Sequence, residues 1–219
     1  MGSGSSKIAP SAIRLKRAYE SPQASDKLRV LVDRLWPRGV SKDAADLDAW
    51  MKELGPTDEL RMWFGHQPER WDEFAEKYRR ELETPLRQLL LAELQGVAKV
   101  STLTLVYGAH DTQENEAVVL RDYLLHEMAH PNAKWDNPTK LLFSAAIVAA
   151  ARHDAVAPAS RLKLFASTIL TTQELDDALN ELLTGGQLRK SSNGWTVTAR
   201  GQQRIRQVSS GESGEKTSP

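Results

Sequence analysis

Cysteine is missing from this chain. Its absence excludes a disulfide scaffold, a cysteine-built zinc site and a thiol nucleophile. Long apolar runs are missing too. No stretch approaches the roughly 20 residues that span a bilayer. The most apolar one, 141–151, is short and alanine-rich, which is the pattern of a buried helix. The expectation is a cytoplasmic protein with no membrane partner. The opening Met1-Gly-Ser-Gly-Ser-Ser6 has no apolar core, so no signal peptide is expected. Residues 1–11 read as a disordered leader. Residues 209–219, rich in Ser, Gly and Glu, read as a disordered tail. Net charge is absent as well, because 29 Lys and Arg balance 29 Asp and Glu. The balance is uneven along the chain. Residues 1–136 carry −3 and residues 137–208 carry +4, a mild basic bias compatible with nucleic acid.

What remains is a 219-residue chain with six tryptophans, long enough for one domain and a small second one. Residues 13–17 alternate apolar and basic, as an edge strand does. Residues 28–33 form a β-branched, mostly apolar run, the mark of a buried strand. Pro37 and Gly39 punctuate a loop over 35–42, and Ser41 is a fair N-cap for a helix reaching Trp50. Gly55-Pro56 ends it. Short helices are expected at 58–64 and from Gln67-Pro68 onward, where Trp71, Phe74, Ala75, Tyr78 and Leu82 share one helical face. Thr84-Pro85 restarts a helix that Gly96 closes. A third strand follows at 100–107, then a polar loop at 108–113 and a helix over 114–127. Strands alternating with helices predict an α/β fold, a small parallel-type sheet with helical cover.

Pro131 to Pro138 reads as a linker between a first domain, 12–130, and a module at 139–208. In that module helices are expected at 139–152, 158–167 and 171–184, the last opened by the capping box Thr171-Thr-Gln-Glu174. The segments 188–190 and 195–198 flank Ser191-Ser-Asn-Gly194, a hairpin with an Asn-Gly turn. A helix closes the module at 200–208. The outline is winged-helix-like.

Several segments together carry a family resemblance: Arg29-Val-Leu-Val-Asp-Arg-Leu-Trp-Pro-Arg-Gly-Val-Ser-Lys42, Glu59-Leu-Arg-Met-Trp-Phe-Gly-His66, Arg70-Trp71 through Tyr78, and Leu103 to Leu120. In this order they resemble the YeaO-like family, a domain of unknown function numbered 488, over about residues 12–126. The resemblance implies a compact α/β domain. Relatives in the wider superfamily carry Cys and a Cys-His pair after the last strand. Here the place reads Gly108-Ala-His-Asp-Thr-Gln-Glu-Asn115, so thiol chemistry does not carry over. Where the family has Asn-His or Asn-Asn, this chain has Asn115-Glu116.

In parallel sheets ligands collect beyond the carboxyl ends of the strands. Two loops lie there, one with Asp33, Arg34, Arg38, Gly39 and Lys42, the other with His110, Asp111 and Asn115. Arginine and lysine suit phosphate or carboxylate. Gly39 lets backbone approach closely, and Asn115 could orient a ligand. His110 and Asp111 are the acid and base if a reaction is run. The competing reading makes Asp33 and Arg34 loop-pinning ion pairs and Asp111 a helix cap. Trp63, His66 and Trp71 are read as packing and a turn. His126-Glu-Met-Ala-His130 matches a zinc-helix spacing but runs into Pro131 and lacks a third ligand, so no metal is assigned, and the residues name no cofactor.

The functional expectation is a binding domain for a small anionic molecule, with or without catalysis, whose C-terminal module serves a partner or a second copy of the chain. The alternative is a regulator docking on DNA through Arg189, Lys190, Arg200 and Arg204 at the wing. Against it, the helix over 172–184 is acidic and holds no Lys or Arg. A third reading is an interaction adaptor without chemistry.

Overall fold

The computed structural model describes residues 8–130 and 135–209. Four strands, β1 (Ile13–Arg17), β2 (Leu28–Leu31), β3 (Ala49–Trp50) and β4 (Leu103–Tyr107), form one parallel sheet in the order β1-β4-β2-β3. Every residue of β2 and β4 is buried, which is why both read as continuous apolar runs and not as alternating ones. β1 lies at the edge, as its alternation predicts. β3 corrects the reading at 41–50. Ser41 does cap a helix, α1 (Lys42–Ala45), but the helix lasts one turn. Asp46 adopts a left-handed conformation at its end, and the chain turns into a strand.

Helices α2 (Asp58–Phe64), α3 (Trp71–Leu82), α4 (Pro85–Val100) and α5 (Glu116–His126) connect and cover this sheet. The stripe foreseen on α3 is its buried face, with Phe74, Ala75, Tyr78 and Leu82 in the core. Gly96 does not close α4. The helix continues to Val100, and residue 96 is glycine for packing: an added Cβ would stand 2.3 Å from the Thr168 side chain. α5 ends at His126, and Glu127 is already extended. His126 and His130 therefore do not share the helical face that zinc binding through this spacing needs.

The remaining elements are α6 (Asn137–Ala150), β5 (Ala157–Pro158), α7 (Ala159–Ala166), α8 (Thr172–Thr184), β6 (Leu188–Ser191), β7 (Gly194–Val197) and α9 (Ala199–Ser209). The three strands make an antiparallel sheet in the order β5-β7-β6. The capping box on α8 forms as read. The hairpin differs: Ser192 and Asn193 make the turn, and Gly194 is the first residue of β7. Gly194 answers a packing demand, since a Cβ there would stand 2.0 Å from the Ala157 carbonyl oxygen.

Core packing runs from the first sheet through Leu90, Leu91 and Leu94 of α4 into Leu141, Leu142 and Phe165. Lys42 donates to the carbonyls of Ala150 and Arg152 at 2.8 and 2.7 Å, and Arg161 pairs with Asp48 at 2.7 Å. Of the expected leader, residues 8–11 are described: Ile8 packs on the core and Pro10 accepts from Arg121. Most of the expected tail, and positions 131–134 of the expected linker, lie outside the described residues. Asn137 and Pro138 belong to the first turn of α6. Among the described residues no helix is long and apolar enough to cross a membrane.

Candidate functional site

Because β2 and β4 are parallel neighbours, with Leu31 beside Val106, the loops after them meet. The contact is specific. Asp33 Oδ2 accepts from the Gly108 N–H at 2.8 Å. A Cβ on residue 108 would stand 2.8 Å from that oxygen, so glycine is what lets the carboxylate reach backbone. The Asp33 carbonyl accepts from the Trp50 indole at 2.8 Å, so the missed strand β3 helps to hold it.

A cavity of about 390 Å³ opens here. Asp33 and Glu116 carry its carboxyl groups. Arg34, Arg38, Arg61 and His66 bring its positive and titratable groups, and Leu35, Pro56, Phe64 and Phe74 its apolar wall. Arg34 is clamped, with Nε on the Pro56 carbonyl at 2.7 Å and Nη2 on the Gly55 carbonyl at 3.0 Å. Gly55 has to be glycine for this, since a Cβ there would lie 2.6 Å from the Arg34 nitrogen. Arg61 pairs with Asp58 on its own helix at 2.9 Å. Arg38 is exposed and makes no hydrogen bond or ion pair among the described residues.

Burial lifts the Asp33 carboxyl far above the ordinary carboxylate range. The neighbouring Glu116 pushes the same way, and the Gly108 N–H and Arg61 oppose both. Its other oxygen, Oδ1, is enclosed and meets no N–H or O–H donor among the described residues.

The remaining sequence-read residues do not line this cavity. Gly39 is exposed at φ +75°, a left-handed turn beside Arg38. Lys42 faces the end of α6. Asn115 is buried and caps α5, accepting from the Ala117 and Val118 N–H groups at 3.0 and 3.2 Å. Asp111 is exposed and accepts from the Gln113 and Glu114 N–H groups. Those two bonds hold its carboxyl below the usual range, with His110 and His66 adding to them. His110 is exposed, and neither it nor Asp111 lines the cavity. In the C-terminal part Arg189, Lys190 and Arg200 are exposed. Arg204 instead pins α9 to the start of α6, bonding Asp136 at 2.7 Å, Thr139 and Gln187.

The sequence reading missed Glu116, Arg61 and the cavity role of His66. Each had a signal. Glu116 replaces the His or Asn of the resembled pattern, and Arg61 and His66 lie inside a quoted motif.

Residues 12–140 match the family model described as the inactive DUF488-N3 subclade. The chain belongs to the DUF488 family. Among DUF488 relatives of YeaO type, the Escherichia coli K12 protein named uncharacterized protein YeaO is 42% identical over 112 residues, 51% of this chain and 96% of its own. The Mycobacterium tuberculosis H37Rv protein named uncharacterized protein Rv3073c is 39% identical over 117 residues, 53% of this chain and 97% of its own. No solved structure matches. The cavity residues lie within the DUF488 match, whereas β5 to α9 lie beyond it.

Proposed function

We propose that this chain binds a compact anionic small molecule, without converting it, in the cavity at the carboxyl ends of β2 and β4. The observation that carries the reading is the convergence of Arg34, Arg38 and Arg61 on one cavity with an apolar wall. Guanidinium forks match the oxygens of phosphate and carboxylate, and ligands of parallel sheets sit beyond the strand ends. Arg34 is a fixed charge, already spent on carbonyls, and Arg38 is the free arm. Binding is preferred over turnover for two reasons. The matching subclade is described as inactive, and the segment after β4 offers no thiol.

Calorimetric titration with inorganic phosphate and pyrophosphate tests it. Wild type should bind one of them, and Arg38→Ala should bind it about tenfold more weakly at an unchanged melting temperature, the worth of one charge-assisted hydrogen bond. Equal affinity in wild type, Arg38→Ala and Arg61→Ala would remove the cavity as the site.

A second reading is favoured by the exposure of Arg189, Lys190 and Arg200 around the hairpin. Helices α6 to α8, the hairpin and α9 follow a winged-helix outline, and these residues would meet DNA phosphates. The exposed acids Glu174, Asp176, Asp177 and Glu181 on α8 weigh against it. Salt dependence of duplex binding separates the two readings.

A further inference from the structure

The cavity holds two kinds of charge, and an anion would satisfy only one of them. Asp33 keeps one oxygen on Gly108, while the other is enclosed without a donor among the described residues. Glu116, the first residue of α5, brings a second carboxyl beside it. Two adjacent carboxyls repel when both ionise, so the pair is held together only while one of them keeps its proton. The arginines of the cavity are committed elsewhere or left at its mouth: Arg34 holds carbonyls, Arg61 holds Asp58, and Arg38 is exposed. The two acids therefore meet through a shared proton, and that contact is the place an outside N–H donor can take.

Resting on the anion-binding reading, we propose that the cavity selects a compact zwitterion, with an ammonium or amidinium group on the Asp33 and Glu116 carboxyls and an acidic group on the guanidinium rim. A free anion gains at the rim but must approach two acids. A free cation gains at the acids but shares the cavity lining with three guanidinium groups. A molecule carrying both charges meets each at its own end, and Leu35, Pro56, Phe64 and Phe74 cover the short carbon linker between them. The groups facing Asp33 are Glu116 on α5, Arg61 on α2, His66 after it, Arg34 and Arg38 in its own loop, and Tyr78 on α3, whose hydroxyl donates to the Leu54 carbonyl. Since burial and Glu116 both favour the protonated Asp33 carboxyl, an arriving ammonium displaces a proton to solvent.

The test uses phosphoethanolamine, 3-aminopropylphosphonate, inorganic phosphate and ethanolamine, titrated calorimetrically at neutral pH into the full chain in two buffers of different ionisation enthalpy. The better of the two zwitterions should bind about tenfold or more tightly than phosphate, the worth of one charge-assisted hydrogen bond. Its binding should release protons, whereas ethanolamine alone should bind weakly. Asp33→Asn and Glu116→Gln should each bring the zwitterion to within about twofold of phosphate, while phosphate affinity stays or rises as the repelling acid is removed. If Asp33→Asn melts early, Glu116→Gln carries the comparison. Phosphate binding with no zwitterion advantage overturns this inference and leaves the anion reading standing. No binding of phosphate or of either zwitterion overturns both.

Discussion

Glu93 is fully buried on α4 between apolar neighbours, and among the described residues its one donor is the Ser144 hydroxyl of α6. Its second oxygen has no partner among the described residues. Burial pushes the carboxyl up to about 8, against the smaller opposing pull of Ser144. Unfolded, the same group titrates near an ordinary glutamate value of about 4.3. The folded state therefore holds a proton that the unfolded state has lost between roughly pH 4.5 and 8. By linkage, stability from Glu93 is present below that window and is lost as pH rises through it. Relative to wild type, Glu93→Gln should gain on the order of 4 kcal/mol between pH 5 and pH 9, as thermal melts across pH would read. Asp33 titrates in the same direction but is present in both proteins, so the difference isolates Glu93. Parallel curves would mean that Glu93 ionises in the fold.

Among the elements, the N-terminus of α5 decides where Glu116 stands. Asn115 accepts two backbone N–H groups there, and its own amide donates to the Asp111 carbonyl. Asn115→Ala should lose about 1–2 kcal/mol, and Asn115→Asp or Asn115→Ser should recover most of it, measured by urea denaturation. A ligand-contacting Asn115 would instead leave stability alone and lower phosphate affinity. The cap could be read from sequence only in part. Asn before a helix is a familiar N-cap, but its place in a polar loop beyond a strand also suits a ligand contact, and local pattern does not choose. β2, β4 and the α3 stripe were legible because runs of apolar residues have few other places to go. β3 was not: two residues, Ala49 and Trp50, become a strand through pairing with Val30 and Leu31, which are distant in sequence. The cavity shares that difficulty. Asp33 was visible at a strand end, whereas Arg61 and Phe64 arrive from a helix whose docking no local pattern records.

At the scale of the whole molecule, packing is continuous between the family region and the C-terminal part, while charge is segregated. Residues 137–208 carry +4, but the acids of α8 and the commitment of Arg204 to Asp136 leave Arg189, Lys190, Arg200 and Arg206 as exposed cations on the hairpin and α9. Four phosphate contacts correspond to a slope of about −4 in the logarithm of affinity against the logarithm of salt concentration. Fluorescence anisotropy of a labelled duplex should give a slope no steeper than that, with little binding left at physiological salt. A markedly steeper slope would mean a larger basic footprint and would put the DNA reading first.

The Trp50 indole that holds the Asp33 carbonyl also meets Trp36 edge-on, with ring centroids 5.2 Å apart. One indole thus belongs to the loop that carries Asp33, Arg34 and Arg38, and the other holds that loop from β3. Anything that shifts this loop changes the polarity around a fluorophore already in place, so occupancy of the cavity can be followed through the protein's own emission, without a dye.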